Sequence, residues 1–181
     1  MIYAISTGYS VRPFDEADLE GPYLGWFEDQ DVTRYSAHGK LARGLDYYRD
    51  YIRTLDRNTN VIWAIIHEHD GHVGNIGLHA ISALNRNAEF AIMIGNKAHW
   101  TNGVGRAAAR ALIEHGFEKL NLERIYCGTA ATNLAMVRLA LALGMTEEGR
   151  RRSQLWLDGA WVDVVEYGLL RCEWREAPAS A

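Results

Sequence analysis

Hydrophobic and polar positions along this chain fall into blocks that switch between the period of a strand and that of a helix. Ser10 to Phe14 is a short extended run, and Asp15, with Asp18 three residues on, has the form of a helix N-cap with an acidic first turn leading to Trp26 and Phe27. A loop from Asp31 to Gly39 follows. From Leu41 to Arg57, apolar or aromatic residues recur at 41, 45, 48, 52 and 55, the spacing of one helical face. Val61–His67 is β-branched and apolar, Asp70-Gly71 marks a turn, and Val73–Ile81 and Asn87–Ile94 continue an antiparallel meander. Val104, Ala108, Ala111, Leu112 and His115 then line one face of a helix ending near Lys119, before a strand at Arg124–Thr129. Asn133–Leu143 reads as a last helix closed by Gly144. Asp158-Gly159 turns a final hairpin between Met145–Leu157 and Trp161–Arg171.

The pattern predicts one domain over residues 1–175 and a disordered tail from Glu176 to Ala181. With 181 residues, 48% of them hydrophobic, the chain is long enough for one sizeable core. A net charge of −4, with Arg150-Arg151-Arg152 the one basic cluster, argues against a nucleic-acid partner. No apolar run approaches the ~18 residues that span a bilayer, and no basic-then-apolar leader opens the chain, so a cytoplasmic protein without a membrane partner is expected. Cys127 and Cys172 lie far apart, without paired spacing, and read as reduced thiols.

The richest chemical signal is Trp100-Thr101-Asn102-Gly103-Val104-Gly105-Arg106-Ala107, where two glycines open the long helix after the strand Phe90–Ile94. Helix starts carry unpaired N–H groups and partial positive charge, and glycine lets an anion approach them, so the junction reads as a phosphate cradle. Gly103, Gly105 and Ala108 also fit the dinucleotide pattern G-x-G-x-x-A, with Glu123 twenty residues after Gly103. The context speaks against it: eight residues separate Ile94 from Gly103, and Glu123 precedes its strand. No Gly-Lys-Ser/Thr follows, so a P-loop fails too. The remaining rival is that the glycines serve close helix-to-sheet packing.

The order of motifs closely resembles the GNAT superfamily of acyl-CoA-dependent N-acetyltransferases over most of the chain. Trp100-x-x-Gly103-x-Gly105 stands where that family has Gln/Arg-x-x-Gly-x-Gly/Ala, and the Trp is similar to the branch acetylating ribosomal-protein N-termini and polyamines. Ile92-Met93-Ile94-Gly95 resembles the coenzyme-binding strand, and Asn133 with Gly144-Met145 resembles the Asn-rich helix start and its closing Gly-Phe. Glu148-Gly149-Arg150, Asp158-Gly159-x-Trp161-x-Asp163 and Leu170-Arg171-Cys172-Glu173-Trp174 are also typical of that branch.

The resemblance implies an α/β (α+β) fold with a mixed, mostly antiparallel twisted sheet, splayed central strands and about four helices. It implies acetyl-CoA as co-substrate, no metal, and a homodimer. Trp100 and Asn102–Arg106, that is Asn102, Gly103, Val104, Gly105 and Arg106, would hold the coenzyme diphosphate through backbone N–H groups, with Arg106 adding charge. The pantetheine amides would pair with backbone at Ile92, Met93 and Ile94, between splayed strands, and Asn133 and Arg138 would approach from the other side of the gap.

Acyl transfer from a thioester needs a neutral amine, yet a primary alkylamine titrates near ~10.4, so a base must take its proton. Glu89 stands where related acetyltransferases carry an acidic residue and is the first candidate; His79, on the neighbouring strand, is the second, as a proton relay. A backbone N–H near Met93 or Ile94 would meet the oxyanion. Many family members carry a Tyr seven residues after the helix-opening Asn, and here that position is Ala140. Its loss leaves the departing thiolate, titrating near ~8.5, without the usual acid, and keeps open a non-catalytic acyl-CoA-binding module.

No nucleophile elbow is present, so direct attack in a ternary complex is preferred over an acyl-enzyme. His67, His69 and His72 tempt a metal reading, but Asp70-Gly71 makes that stretch a solvated hairpin tip and no metal is expected. Among the aromatics Tyr23, Trp26, Tyr35, Trp63 and Trp156, only Trp26 and Tyr35 are singled out as acceptor-lining, and Glu28, Asp29 and Asp31 are weighed as attractors of a cationic amine. The acceptor stays open among a peptide N-terminus, a polyamine, an amino sugar and an antibiotic amine, as does a longer acyl donor.

Overall fold

The computed structural model describes residues 2–36, 40 and 43–176. Its strands are β1 (Tyr3–Ser6), β2 (Tyr9–Pro13), β3 (Val61–His67), β4 (Gly71–Ser82), β5 (Asn87–Ile94), β6 (Arg124–Ala130), β7 (Thr146–Leu157) and β8 (Ala160–Leu170). They pair as one sheet in the order β1-β2-β3-β4-β5-β6-β8-β7, antiparallel throughout except for β5 and β6. The helices are α1 (Gln30–Thr33), α2 (Leu45–Thr54), α3 (Val104–Glu118), α4 (Leu134–Ala142) and α5 (Arg171–Glu176). A parallel pair needs a crossover, and α3 supplies it between β5 and β6.

Both faces of the sheet are covered. On one, Val11, Ile65, Ile76, Leu78 and Phe90 pack under Ala108, Leu112, Ile113 and Phe117 of α3. On the other, the alternate residues Ala64, Ile62 and Ile66 of β3 meet Phe14, Leu19, Tyr48 and Ile52. This second, smaller cluster covers only part of its face and leaves room for a cleft beside it.

Three departures from the sequence pattern have local causes. The helix expected from Asp15 to Phe27 is broken into two 3-10 turns, Glu16–Glu20 and Leu24–Phe27. The Asp15 cap and its box with Asp18 are present, but Gly21 is extended ahead of Pro22, whose ring disfavours helix before it. Helix α2 starts after Gly44, inside the expected 41–57, with Leu41 outside the described residues. Beyond its end Asp56 accepts from Asn58 N–H at 2.9 Å and turns the chain. At the C-terminus, Glu176 belongs to α5 rather than to a tail, because Glu173 accepts Leu170 N–H at 2.7 Å and Trp174 packs on the main core; residues 177–181 lie outside the description. Strand β1, too short to stand out in the pattern, pairs with β2 and completes the edge.

One buried polar group anchors the segment above the smaller cluster. Asp18 accepts from Arg12 Nη1 at 2.9 Å and Nη2 at 2.5 Å and from Asp15 N–H at 3.0 Å. Burial, the largest single influence, would raise its carboxyl; the bonds from Arg12 and Asp15 N–H, with the nearby Arg12 and His72 charges, together outweigh that and hold it below the ordinary value. Beside it, His72 Nε2 donates to Gly74 O at 3.1 Å, and burial holds its imidazole below the usual histidine range despite Asp18. Burial, helped by Lys119, lowers His115 as well.

A histidine lowered in the fold takes its proton first in the unfolded chain, so stability is present above pH 6.5 and falls as pH drops through that value. Thermal melts from pH 7 to pH 5 are therefore expected to show declining stability, at most about 1.4 kcal/mol per pH unit for each such histidine. His72→Gln, which keeps a donor for Gly74 O, flattens that slope. Identical slopes in the two proteins would refute the assignment.

Candidate active site

The cleft floor is built from cross-strand rows of β3, β4 and β5. Ile62 faces Gly77, which faces Ala91; Ala64 faces Asn75, which faces Met93; and His79 faces Glu89. Period-2 alternation puts these residues on the face opposite α3. β5 and β6 pair only at Asn87–Arg124, Ala88–Ile125 and Glu89–Tyr126, and beyond Glu89 they part. Phe90–Ile94 on one side and Gly128 and Thr129 on the other then line a cleft of about 870 Å³, with Asn133, Met136, Arg138 and Leu139 forming the α4 wall.

The turn into α3 closes one end of this gap. Gly103 caps the helix at φ +82, a left-handed conformation that side chains resist. A Cβ on Gly103 would meet nothing within 4 Å, and one on Gly105 would make only an ordinary 3.7 Å contact with Ile92 Cδ1. Helix-to-sheet packing therefore does not require these glycines. Gly103 is needed for its dihedral, while Gly105 presents bare backbone to the cleft. Val104 N–H is taken by Asn102 Oδ1 at 3.3 Å and Ala107 N–H by Gly103 O at 3.1 Å; Gly105 N–H has no partner among the described residues.

Trp100, Gly103, Gly105, Arg106, Asn133 and Arg138 line the cleft together with Ile92, Met93 and Ile94. Trp100 also shapes its wall, since its indole N–H donates to Ile94 O at 2.8 Å. Two expected residues are not brought there by their side chains. Val104 is buried in the main core, and Asn102 turns inward to Tyr9 OH and to Val104 N–H. Asn133 spends its Oδ1 as the α4 cap, accepting Met136 N–H at 3.3 Å.

Glu89 is exposed at the apex of the gap and has no hydrogen-bond or ion-pair partner among the described residues. His79 is half-buried, with Nδ1 3.2 Å from Asn60 Oδ1, and its ring lies across Gly77, where a Cβ would come within 2.8 Å of Nε2. Behind β6, burial first and then the nearby Glu89 charge push the Cys127 thiol up to about 12, and its Sγ donates weakly to Met145 Sδ at 3.7 Å. That thiol is no nucleophile. Ala140 is fully buried in the main core, so its position offers the cleft no group at all.

The roof corrects several expectations. Trp26 is not a lining residue: it is buried flat against Gly95, where a Cβ would sit 1.8 Å from the ring, and edge-on to His72. Tyr35 does line the cleft, and its hydroxyl donates across it to Thr132 O at 3.0 Å. Asp29 and Asp31 both hold Lys97 Nζ, at 2.8 and 2.9 Å, so the two carboxylates share one ammonium rather than standing free. Trp63 belongs to the core, and Trp156 pairs with Trp161 on the outer hairpin.

The three-histidine run also comes apart. His72 faces Asp18, while His67 Nδ1 and His99 Nε2 meet Asp70 Oδ2 at 2.8 and 3.1 Å. His99 Nδ1 lies 2.6 Å from Tyr9 OH, which Asn102 also reaches, so this cluster ties the β3–β4 turn to the turn before α3. Residues that the sequence did not single out complete the cleft: Tyr47, Tyr48 and Tyr51 on α2, with Phe14 and Phe27. The 3.6-residue period of α2 was visible, but not which way its flanking tyrosines face.

A family profile described as an acetyltransferase (GNAT) domain matches residues 10–146. An uncharacterized N-acetyltransferase p20 of Bacillus licheniformis is 29% identical over 165 residues, covering 88% of this chain and 90% of that protein. A putative ribosomal N-acetyltransferase, YdaF, of Bacillus subtilis is 36% identical over 108 residues, covering 59% and 58%. Among solved structures, the spermidine N-acetyltransferase of Vibrio cholerae in complex with CoA and spermine shares the fold, with a TM-score of 0.84 at 21% identity over 94% of this chain and all of that one.

The two glycines separate in a stability measurement. Gly103→Ala places a side chain at positive φ and is expected to cost about 1–2 kcal/mol, or about 3–6 °C in Tm. Gly105→Ala lies in helix with room for its methyl and should leave Tm unchanged or raise it, since Ala is favoured over Gly there by about 1 kcal/mol. A large drop for Gly105→Ala in calorimetry would restore the packing explanation.

Proposed function

Because the chain belongs to the GNAT acetyltransferase family, whose members are acetyl-CoA-dependent N-acetyltransferases, we propose that it moves an acetyl group to a primary amine by direct attack in a ternary complex. The observation that carries this reading is the gap that opens at Glu89 between β5 and β6 and ends at the bare start of α3. A thioester arm fits a slot with a strand edge on one side and a helix N-terminus at its end.

In this reading the diphosphate lies against the main chain of Gly103, Gly105 and Arg106, with the Arg106 and Arg138 side chains supplying positive charge. Asn102 and Val104 act through the shape of the turn rather than by contact. The pantetheine amides pair along Ile92–Ile94, with Asn133 on the far wall, and Trp100 occupies the Ile94 carbonyl. The amine approaches over Ala91 and Glu89. Its nitrogen attacks the thioester carbonyl carbon, the C–S bond breaks, and the amine proton passes to Glu89, directly or through water, with His79 as relay. A backbone N–H at Met93 or Ile94 meets the oxyanion. Coenzyme A leaves as thiolate and is protonated from solvent, since Ala140 supplies no acid.

The unit of function in this proposal is one domain over residues 1–175, cytoplasmic, where acetyl-CoA is at hand. No helix among the described residues is long and apolar enough to cross a membrane. It further acts as a homodimer, for which the exposed Trp156 and Trp161 offer an apolar face; sedimentation giving a monomer at micromolar concentration would exclude that assembly.

Glu89→Gln is expected to lower kcat by about 100-fold or more while leaving the calorimetric Kd for coenzyme A unchanged. An undiminished kcat removes Glu89 as base. Gly105→Ala should act in the opposite sense, weakening coenzyme A by about tenfold through lost backbone approach.

A further inference from the structure

We infer that His67, Asp70 and His99 bind one divalent transition ion of the zinc type, which clamps the β3–β4 turn to the turn before α3. None of the three lines the cleft, and the site does not depend on the acetyl-transfer reading.

The sequence pattern groups His67 with His69 and His72 on a solvated turn; the fold changes the membership. His72 is drawn away to Asp18 and Gly74 O, and His99 arrives from the turn before α3. His67 Nδ1 and His99 Nε2 stand 2.8 and 3.1 Å from the same oxygen, Asp70 Oδ2, and the three ligand atoms lie within 4.8 Å of one another. Around a tetrahedral zinc-type ion, with bonds of about 2.0–2.2 Å, ligand atoms sit about 3.3–3.6 Å apart. A small rotation of the exposed Asp70 side chain opens the two short contacts to that spacing.

Two observations call for a cation there. Asp70 N–H donates to His67 Nδ1 at 3.3 Å, so that nitrogen carries a lone pair rather than a proton, with Asp70 Oδ2 only 2.8 Å away. Two acceptors so close repel unless positive charge lies between them. Asp70 also has no lysine or arginine ion-pair partner among the described residues, so imidazoles alone answer its charge.

The groups behind His99 suit a ligating imidazole. Its Nδ1 lies 2.6 Å from the Tyr9 hydroxyl oxygen; donating Nδ1–H to that oxygen leaves the Nε2 lone pair for the ion, as in oriented metal-binding histidines. Asn102 Nδ2 donates to the same oxygen at 2.5 Å, and Asn102 Oδ1 accepts Val104 N–H, so an ion holding His99 also steadies the first turn of α3. The His99, His67 and Asp70 side chains are 5%, 18% and 50% exposed, which gives the site a buried floor and an entry beside the carboxylate. Water completes the tetrahedron. Two nitrogens among three ligands select zinc-type ions over magnesium or calcium, which take oxygen. The alternative is a cluster held by protons alone, with Tyr9 O–H donating to His99 Nδ1 and His99 Nε2–H to Asp70.

The test titrates zinc chloride calorimetrically into metal-stripped full-length protein and follows Tm with and without the ion; neither readout uses acetyl transfer. The expected result is one ion per chain at micromolar Kd or tighter, with Tm raised by about 5–10 °C at about a hundredfold excess over Kd. Cobalt(II) in place of zinc should give the strong visible absorption of a four-coordinate ion. Asp70→Asn preserves the turn, because Asn-Gly serves a hairpin as Asp-Gly does. Asp70→Asn and His99→Gln should each weaken zinc by about tenfold or more and abolish the cobalt band, while His69→Gln, which supplies none of the three ligand atoms, keeps the wild-type affinity. Absence of heat together with an unmoved Tm overturns the inference in favour of the proton-held cluster. Zinc binding that survives Asp70→Asn, or that His69→Gln abolishes, overturns it by placing the ion elsewhere.

Discussion

Everything in the cleft depends on a sheet that stops pairing with itself. β5 and β6 share three residue pairs and then diverge, so two strand edges in the interior of an eight-stranded sheet face each other across open space. Unpaired backbone inside a protein is costly unless something meets it. The fold leaves these edges lining an open cleft and aims α3, the crossover that the parallel pair requires, at the mouth of the opening. A gap filled by side chains would cost less in the free protein and would bind nothing.

Holding such a gap open needs supports that the strands do not supply. Trp100 ties the end of β5 to the turn before α3, and the Asp70, His99, Tyr9 and Asn102 chain ties that turn to the opposite hairpin. On the other side, Arg124 holds Glu148 between β6 and β7, and β8 pairs with β6 along its full length. Each half of the sheet is thus braced separately, and the helix start is tied to the β1–β5 half.

Much of this was legible along the chain, where regular periodicity and turn chemistry agree. Strands β3 to β8 and helices α3 and α4 lie within a residue or two of where their patterns put them, and Asp158-Gly159 adopts positive φ at both positions, as a tight hairpin needs. The glycines of the turn before α3 are legible too, because their spacing is local. What could not be read is what depends on contacts between distant segments. The pattern marks Trp26 as a pocket residue, but Gly95 receives its ring, and it leaves Asp29 and Asp31 available, but Lys97, far along the chain, lies between them. Asn102 was placed correctly on the turn, but the direction of its side chain is decided by Tyr9 and His99. The tyrosines of α2 were lost for a similar reason: a helical period gives the buried stripe, not the identity of what faces its flank.

The two cysteines differ enough to matter at the bench. Cys127 is sealed beneath β6 with its sulfhydryl out of reach of solvent and of neutral-pH ionisation, whereas Cys172 sits open on α5. A maleimide dye should therefore mark the native molecule at a single position, remote from the cleft, without any engineered residue. The wild-type chain arrives with its own attachment point for fluorescence or surface immobilisation.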